Sequence, residues 1–164
     1  MTINDLFQTA SLTPLGPVRW REQISESSPG VYVVARVGEP TVGCEECPLP
    51  LIDPLPLNLH LDFEYEQRRW LPNEPVLYIG QTGRTIEERI TEFYDHQCGN
   101  RRPHAGGQII KLLRCDLWVY WSPATYPKNA ERAMILAFKE QVGQKPSANW
   151  DRKLRPSRVR TAML

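Results

Sequence analysis

Two charged residues stand where charge is hard to keep without a partner. Arg89 follows Ile86 by three positions in a stretch whose apolar residues, Ile86, Ile90 and Phe93, repeat at helical spacing. The guanidinium therefore borders the buried face of a helix, and a group that never loses its charge is rarely placed there without an anion nearby. Its planar fork matches the oxygens of a phosphate. The alternative is an arginine that lays its stem on the core and reaches a surface carboxylate such as Glu92. Glu131 precedes Met134 and Ile135 by three and four residues, on the stripe that continues through Phe138 and Val142. An inward-facing carboxylate needs a hydrogen-bonding partner or a cation. A hard cation such as Mg²⁺ takes oxygen ligands and keeps several waters, so one carboxylate holds it when substrate phosphate helps. The helix macrodipole also favours an acid in a first turn, which accounts for the position of Glu131 but not for its inward direction.

The elements that must carry these residues are readable in outline. Val31 to Val37 alternates and is Val-rich, which predicts a strand, and both of its faces are largely apolar. Val76 to Gly80 predicts a second strand. Thr85 and Glu88 stand in capping-box spacing, so a helix is expected from Ile86 to about Gln97. Gln108 to Leu113 suggests a short helix, and Asp116 to Trp121 a third strand. Asn129 is a good N-cap for a last helix from Ala130 to about Val142, and Gly143 suits its end. Met1 to Pro29 reads as a lead-in in which Trp20 anchors packing rather than stacking on bases.

Gly38 to Pro75 separates the first two strands. It holds seven of the fifteen prolines, and its eight acids against Arg68 and Arg69 give a net charge of −6. Proline at this density excludes a long helix or a central strand, so the segment reads as an inserted arm. Within it Cys44 and Cys47 have zinc-ligand spacing. A complete site would need help from His60, His96 or Cys98, and two unrelated thiols are the alternative.

Gly30-Val31-Tyr32 at the start of one strand and Tyr78-Ile79-Gly80 at the end of the next resemble the signature of the GIY-YIG nuclease family. Arg89, Glu131 and Asn149 follow in that family's order, and the resemblance runs from about Pro29 to Asn149 with one long insertion. It implies an α/β fold of the α+β type, with a small central three-stranded, mainly antiparallel sheet flanked by helices. It implies a divalent-metal-dependent endonuclease, using Mg²⁺ or Mn²⁺, that acts on DNA ahead of RNA and leaves 5′-phosphate and 3′-hydroxyl ends. Glu131 would hold the metal and Arg89 the phosphate. Tyr32 or Tyr78 would orient or deprotonate the attacking water. A free tyrosine ionises near pH 10, so the metal and Arg89 would have to favour the phenolate. Asn149 would orient substrate or neighbouring groups. Gly80 would permit close backbone approach, with Gln81, Arg84, Arg152 and Lys153 as further substrate contacts.

Two departures bear on the proton transfers. Many relatives have Lys where this chain has Gln81, and His where it has Phe93. His96, seven residues after Arg89, and His104 in the following loop are candidate replacements; a histidine at a helix end is as readily an ordinary surface residue. The runner-up reading is a catalytically weak or inactive module that binds nucleic acid or protein on the same fold.

Composition sets outer limits. The length suits one domain, residues 1–164, with residues 150–164 as a basic tail. The net charge is +1, so there is no overall basic footprint for nucleic acid. Arg152, Lys153, Arg155, Arg158 and Arg160 against Asp151 make the tail +4, which leaves −3 for the rest. No apolar run spans a bilayer, and no basic-then-apolar start marks a signal peptide, so a cytoplasmic location and no membrane partner are expected. Cutting both strands of a duplex often takes two small domains, which makes a homodimer an open option.

Overall fold

The alternating, doubly apolar strand expected after Pro29 forms as β2, Gly30–Ala35, and every one of its residues is buried. The structure, a computed structural model, describes residues 1–44, 69–97 and 107–149. β2 is buried because it is interior to the sheet. It pairs antiparallel with β3 (Val76–Thr82) on one side and with β4 (Trp118–Pro123) on the other.

The sheet has four strands, not three: with β1 (Leu15–Arg19) the order is β1-β4-β2-β3. The added strand is β1, Leu15–Arg19, from the stretch read as a lead-in. Its sequence hides it. Gly16, at φ 87°, and Pro17 fall in the register shift between Leu15 and Val18, so no alternation is visible. Proline is tolerated there because β1 is an outer strand whose free edge needs no donor. Ahead of it lies α1, Ile3–Gln8, started by a capping box in which Asp5 N–H donates to Thr2 Oγ1 at 3.1 Å and Thr2 N–H to Asp5 Oδ2 at 3.3 Å.

The remaining elements fall near their expected places with shifted ends. α2 spans Ile86–Asp95, and Thr85 Oγ1 accepts from Glu88 N–H at 3.2 Å, so the Thr85 half of the expected box forms. The short helix is a 3₁₀ segment, Gln108–Leu112, and β4 begins two residues later than the third strand was expected to. α3 spans Pro127–Val142. Asn129 is therefore not its N-cap but lies in its first turn. Pro127 takes the first helical position, where its missing N–H costs nothing and its fixed φ already suits the helix. Gly143 closes the helix in the left-handed region, as expected.

Side-chain alternation divides the core between the two sheet faces. Tyr32, Val34, Tyr78 and Val119 meet Ile86, Ile90 and Phe93 of α2. Val31, Val33, Ala35, Ile79 and Tyr120 meet Ile3, Leu6 and Phe7 of α1 and Met134 and Phe138 of α3. Trp20 does anchor packing: its ring meets Phe93 edge-on at 5.1 Å and Tyr94 at 4.9 Å.

The insertion leaves after β2 and returns before β3, and Arg36 ties its two ends. Its Nη2 donates to Pro72 O at 2.9 Å and Glu74 O at 3.2 Å, and the guanidinium stacks over Trp70 at 4.9 Å. Residues 45–68 of that segment lie outside the described residues. So do Cys47, His60 and Cys98 of the zinc expectation, His104, and Arg152 and Lys153 with the rest of residues 150–164. Among the described residues no three His, Cys, Asp or Glu side chains are grouped to hold a metal. Nor, among them, is any helix long and apolar enough to cross a membrane.

Candidate functional site

The site is organised by an absence of side chain. Tyr32 on β2 stands directly opposite Gly80 on β3. A Cβ on Gly80 would lie 2.5 Å from Tyr32 Cζ and 2.6 Å from its hydroxyl, so the ring lies across the glycine and nothing larger fits. Tyr78 pairs with Val34 two residues along, which puts both tyrosines on the α2 face with ring centroids 6.1 Å apart. Phe93 supports both rings, at 6.3 Å from Tyr32 and 5.6 Å from Tyr78. Gly107, left-handed at φ 71°, closes over the same aromatic group: a Cβ there would come within 2.9 Å of Phe93 and 3.1 Å of Tyr78.

Arg89 and Glu131 complete the group. Arg89 comes from α2 and Glu131 from the first turns of α3, which packs on the opposite sheet face and chiefly along β3. The two act on each other and on both tyrosines. Burial raises the Tyr32 phenol above its ordinary value; Arg89 opposes the rise and Glu131 adds to it. Burial holds Tyr78 well above its ordinary value, the Tyr32 and Glu131 charges add to this, and Arg89 opposes it more weakly. Burial thus favours the neutral phenol at both tyrosines, and Arg89 is the counterweight to it. Burial also raises the Glu131 carboxyl, again against the pull of Arg89.

Hydrogen-bonding capacity is left over at this point. The Tyr32 hydroxyl and Arg89 Nε are buried and fall short of good hydrogen-bond geometry, although Arg89 and Tyr78 stand close enough to Tyr32 to favour its phenolate; the Gln81 amide oxygen is buried without a partner. Buried polar atoms without partners are uncommon and call for a reason such as a ligand. Among the described residues the Glu131 carboxylate makes no hydrogen bond and no ion pair. The expected Glu92 does stand beside Arg89, but Oε2 is 3.7 Å from Nη1, too far for a hydrogen bond. Arg84 takes that same oxygen at 2.6 Å.

Other expected site residues are placed differently. The Asn149 amide is spent on the backbone of β3: Ile79 N–H donates to Oδ1 at 2.9 Å, and Nδ2 donates to Ile79 O at 2.8 Å. It therefore positions the strand that carries Tyr78 and Gly80 rather than facing a substrate. His96 does not continue the line of Arg89 down α2. The helix ends at Asp95, and His96 is its C-cap with extended backbone, buried, its carbonyl accepting from Lys111. It acts on neither tyrosine nor on Glu131. Phe93, where many relatives of the resembled family carry a histidine, is fully buried and supports the two tyrosines.

Sequence reading passed over what holds Asn149 in place. Arg69 Nη2 donates to Asn149 O at 2.7 Å, and Ser147 Oγ donates to Arg69 O at 3.0 Å, across 80 and 78 residues of chain. No local signal marks pairings so distant. Gly107 was passed over as well, although glycine is the residue that takes a left-handed position most readily.

No protein-family model, curated protein or solved structure matches this chain.

Proposed function

We propose that this chain is a divalent-metal-dependent endonuclease that hydrolyses nucleic-acid phosphodiester bonds, DNA ahead of RNA. One observation carries the reading: Tyr32, Tyr78, Arg89 and Glu131 act on one another around a glycine that makes room for the Tyr32 ring, with a half-buried carboxylate that no described residue satisfies. The tripeptide resemblance supports the same activity. The donor set fits Mg²⁺ or Mn²⁺ held weakly: one hard carboxylate oxygen from Glu131, with water and substrate phosphate making up the rest. Such an ion, when bound, supplies Lewis-acid polarisation of the phosphoryl oxygen and acidifies water.

The chain's own groups divide the remaining work. Arg89 offers Nε and a fixed fork to the phosphate, which neutralises charge as it builds on the phosphoryl oxygens. Tyr78, firmly a phenol, donates a hydrogen bond and orients. Tyr32, whose phenolate Arg89 favours, is the residue to which we assign acceptance of the water's proton. Gly80 makes room for the Tyr32 ring, and Asn149 fixes the strand that carries it.

The test is nicking of supercoiled plasmid with Mg²⁺ or Mn²⁺. Wild type should nick, and Glu131→Ala and Arg89→Ala should not. Equal cleavage by Glu131→Ala would remove the assignment. A second reading, a binding module with little or no catalysis, is favoured by both tyrosines resting as phenols and by Phe93 at a position without acid–base capacity. It predicts retardation of the plasmid by wild type with no nicking under either metal.

A further inference from the structure

Glu92 is approached by two arginines, one from the turn before its helix and one from the helix itself. Arg84 lies in the turn after β3, its N–H donating to Thr82 Oγ1 at 3.0 Å, and its Nη2 donates to Glu92 Oε2 at 2.6 Å. Arg89 on α2 sets Nη1 3.7 Å from the same oxygen. Exposure falls along this row, from 56% for the Arg84 side chain through 34% for Glu92 to 23% for Arg89, so the row runs from solvent towards the site. Two guanidinium groups converging on one anionic oxygen is also how a phosphate is bound, and a carboxylate presents the same acceptor to the same fork. Arg89 keeps a buried Nε that falls short of good hydrogen-bond geometry, so the carboxylate leaves part of the available donor capacity unused. Ion pairs this exposed are weak, and an incoming phosphate can displace the carboxylate at small cost.

The surroundings add to the effect. Arg84 and Glu92 line an open trough of about 420 Å³ together with Gln23, Ile24, Glu87, Glu88 and Thr91. A phosphate approaching Arg84 through the trough meets three carboxylates, whose repulsion reaches about 8 Å at physiological salt.

We propose that Arg84 and Arg89 form a two-arginine phosphate subsite and that Glu92 is its built-in occupant, displaced when substrate phosphate enters. The proposal rests on the nuclease reading and adds a threshold to it. Singly charged anions compete poorly with a tethered carboxylate, whereas a nucleic-acid backbone brings many phosphates at once. Glu92 therefore favours polyanions over small anions.

Binding of a labelled 20-base-pair duplex by fluorescence anisotropy, without divalent metal and at low salt, tests this beside titration with inorganic phosphate followed by thermal shift. Glu92→Gln keeps the shape and removes the charge. It should bind the duplex about fivefold more tightly, the factor that repulsion between unit charges about 4 Å apart in water supplies. It should also show phosphate-dependent stabilisation that wild type lacks. Both gains should disappear in Arg84→Gln/Glu92→Gln. Glu88→Gln removes the same charge from the same trough at a residue whose charge acts on Arg84 less strongly than that of Glu92, and should gain less than Glu92→Gln. An equal gain from Glu88→Gln, or no gain from Glu92→Gln with either probe, overturns the proposal. If Glu92→Gln acquires phosphate binding through Arg84 while wild type neither binds nor cuts DNA, the subsite stands and the nuclease reading fails.

Discussion

Glu131 holds a charge in a half-buried position with no hydrogen bond from any described residue, and its raised ionisation fixes the sign of its effect on stability. Between the unfolded and folded values the native chain keeps a proton that the unfolded chain has lost, so stability falls as pH rises through that window. Glu131→Gln should accordingly melt higher than wild type at about pH 7, with the gap closing as pH drops below the ordinary value of 4.5, while plasmid nicking is lost. A variant that melts lower at neutral pH would mean that the carboxylate is stabilised by its surroundings. The tyrosines separate by pH. Both are raised phenols, so a rate that needs the Tyr32 phenolate should keep climbing as pH rises, without levelling below the ordinary value of 10. Tyr32→Phe should remove that climb together with about 10²–10⁴ of the rate. Tyr78→Phe should lower the rate and keep the slope. A flat profile in wild type would take the proton-accepting role away from Tyr32.

β3 is the element on which the site depends, and it is an outer strand. Its free side is occupied by the segment after α3: Ala148 N–H donates to Leu77 O at 2.9 Å, and the Asn149 amide caps both backbone groups of Ile79. Asn149→Ala removes two hydrogen bonds worth about 1–3 kcal/mol together. It should lower thermal stability and speed hydrogen exchange at the Ile79 N–H, with nicking reduced because Tyr78 and Gly80 lose their support. Unchanged exchange at Ile79 would leave Asn149 free for a direct role. The strands of the tripeptides were legible because alternation is local, whereas the reason for Gly80, the Tyr32 ring lying across it, is a cross-strand contact that only the fold shows. β1 and the seat of Asn149 were not legible. One is masked by a glycine and a proline at a register shift, and the other is built from pairings about half the chain length apart.

At the scale of the molecule the charge is divided rather than basic. The chain is +1 overall, with −6 between Gly38 and Pro75 and +4 from Asp151 onward. If the basic tail neutralises phosphates that the rest of the chain does not reach, a chain ending at Trp150 should bind DNA with a flatter dependence on salt, by about one unit of slope for each phosphate no longer neutralised. An unchanged slope would make the tail a solvated end.

The sequence by itself determined the strands and helices that carry Tyr32, Tyr78, Arg89 and Glu131, because periodicity and caps act within a few residues. It also determined that Arg89 and Glu131 would lie at the edge of buried faces, because helical spacing sets direction. Only the tertiary structure decided that these two, from helices on opposite faces of a sheet, would act on the same pair of tyrosines. It also decided that His96 would leave the helix and that Asn149 would cap a strand. Those outcomes depend on which segments pack together, and packing is settled by the whole core rather than by any one stretch of chain.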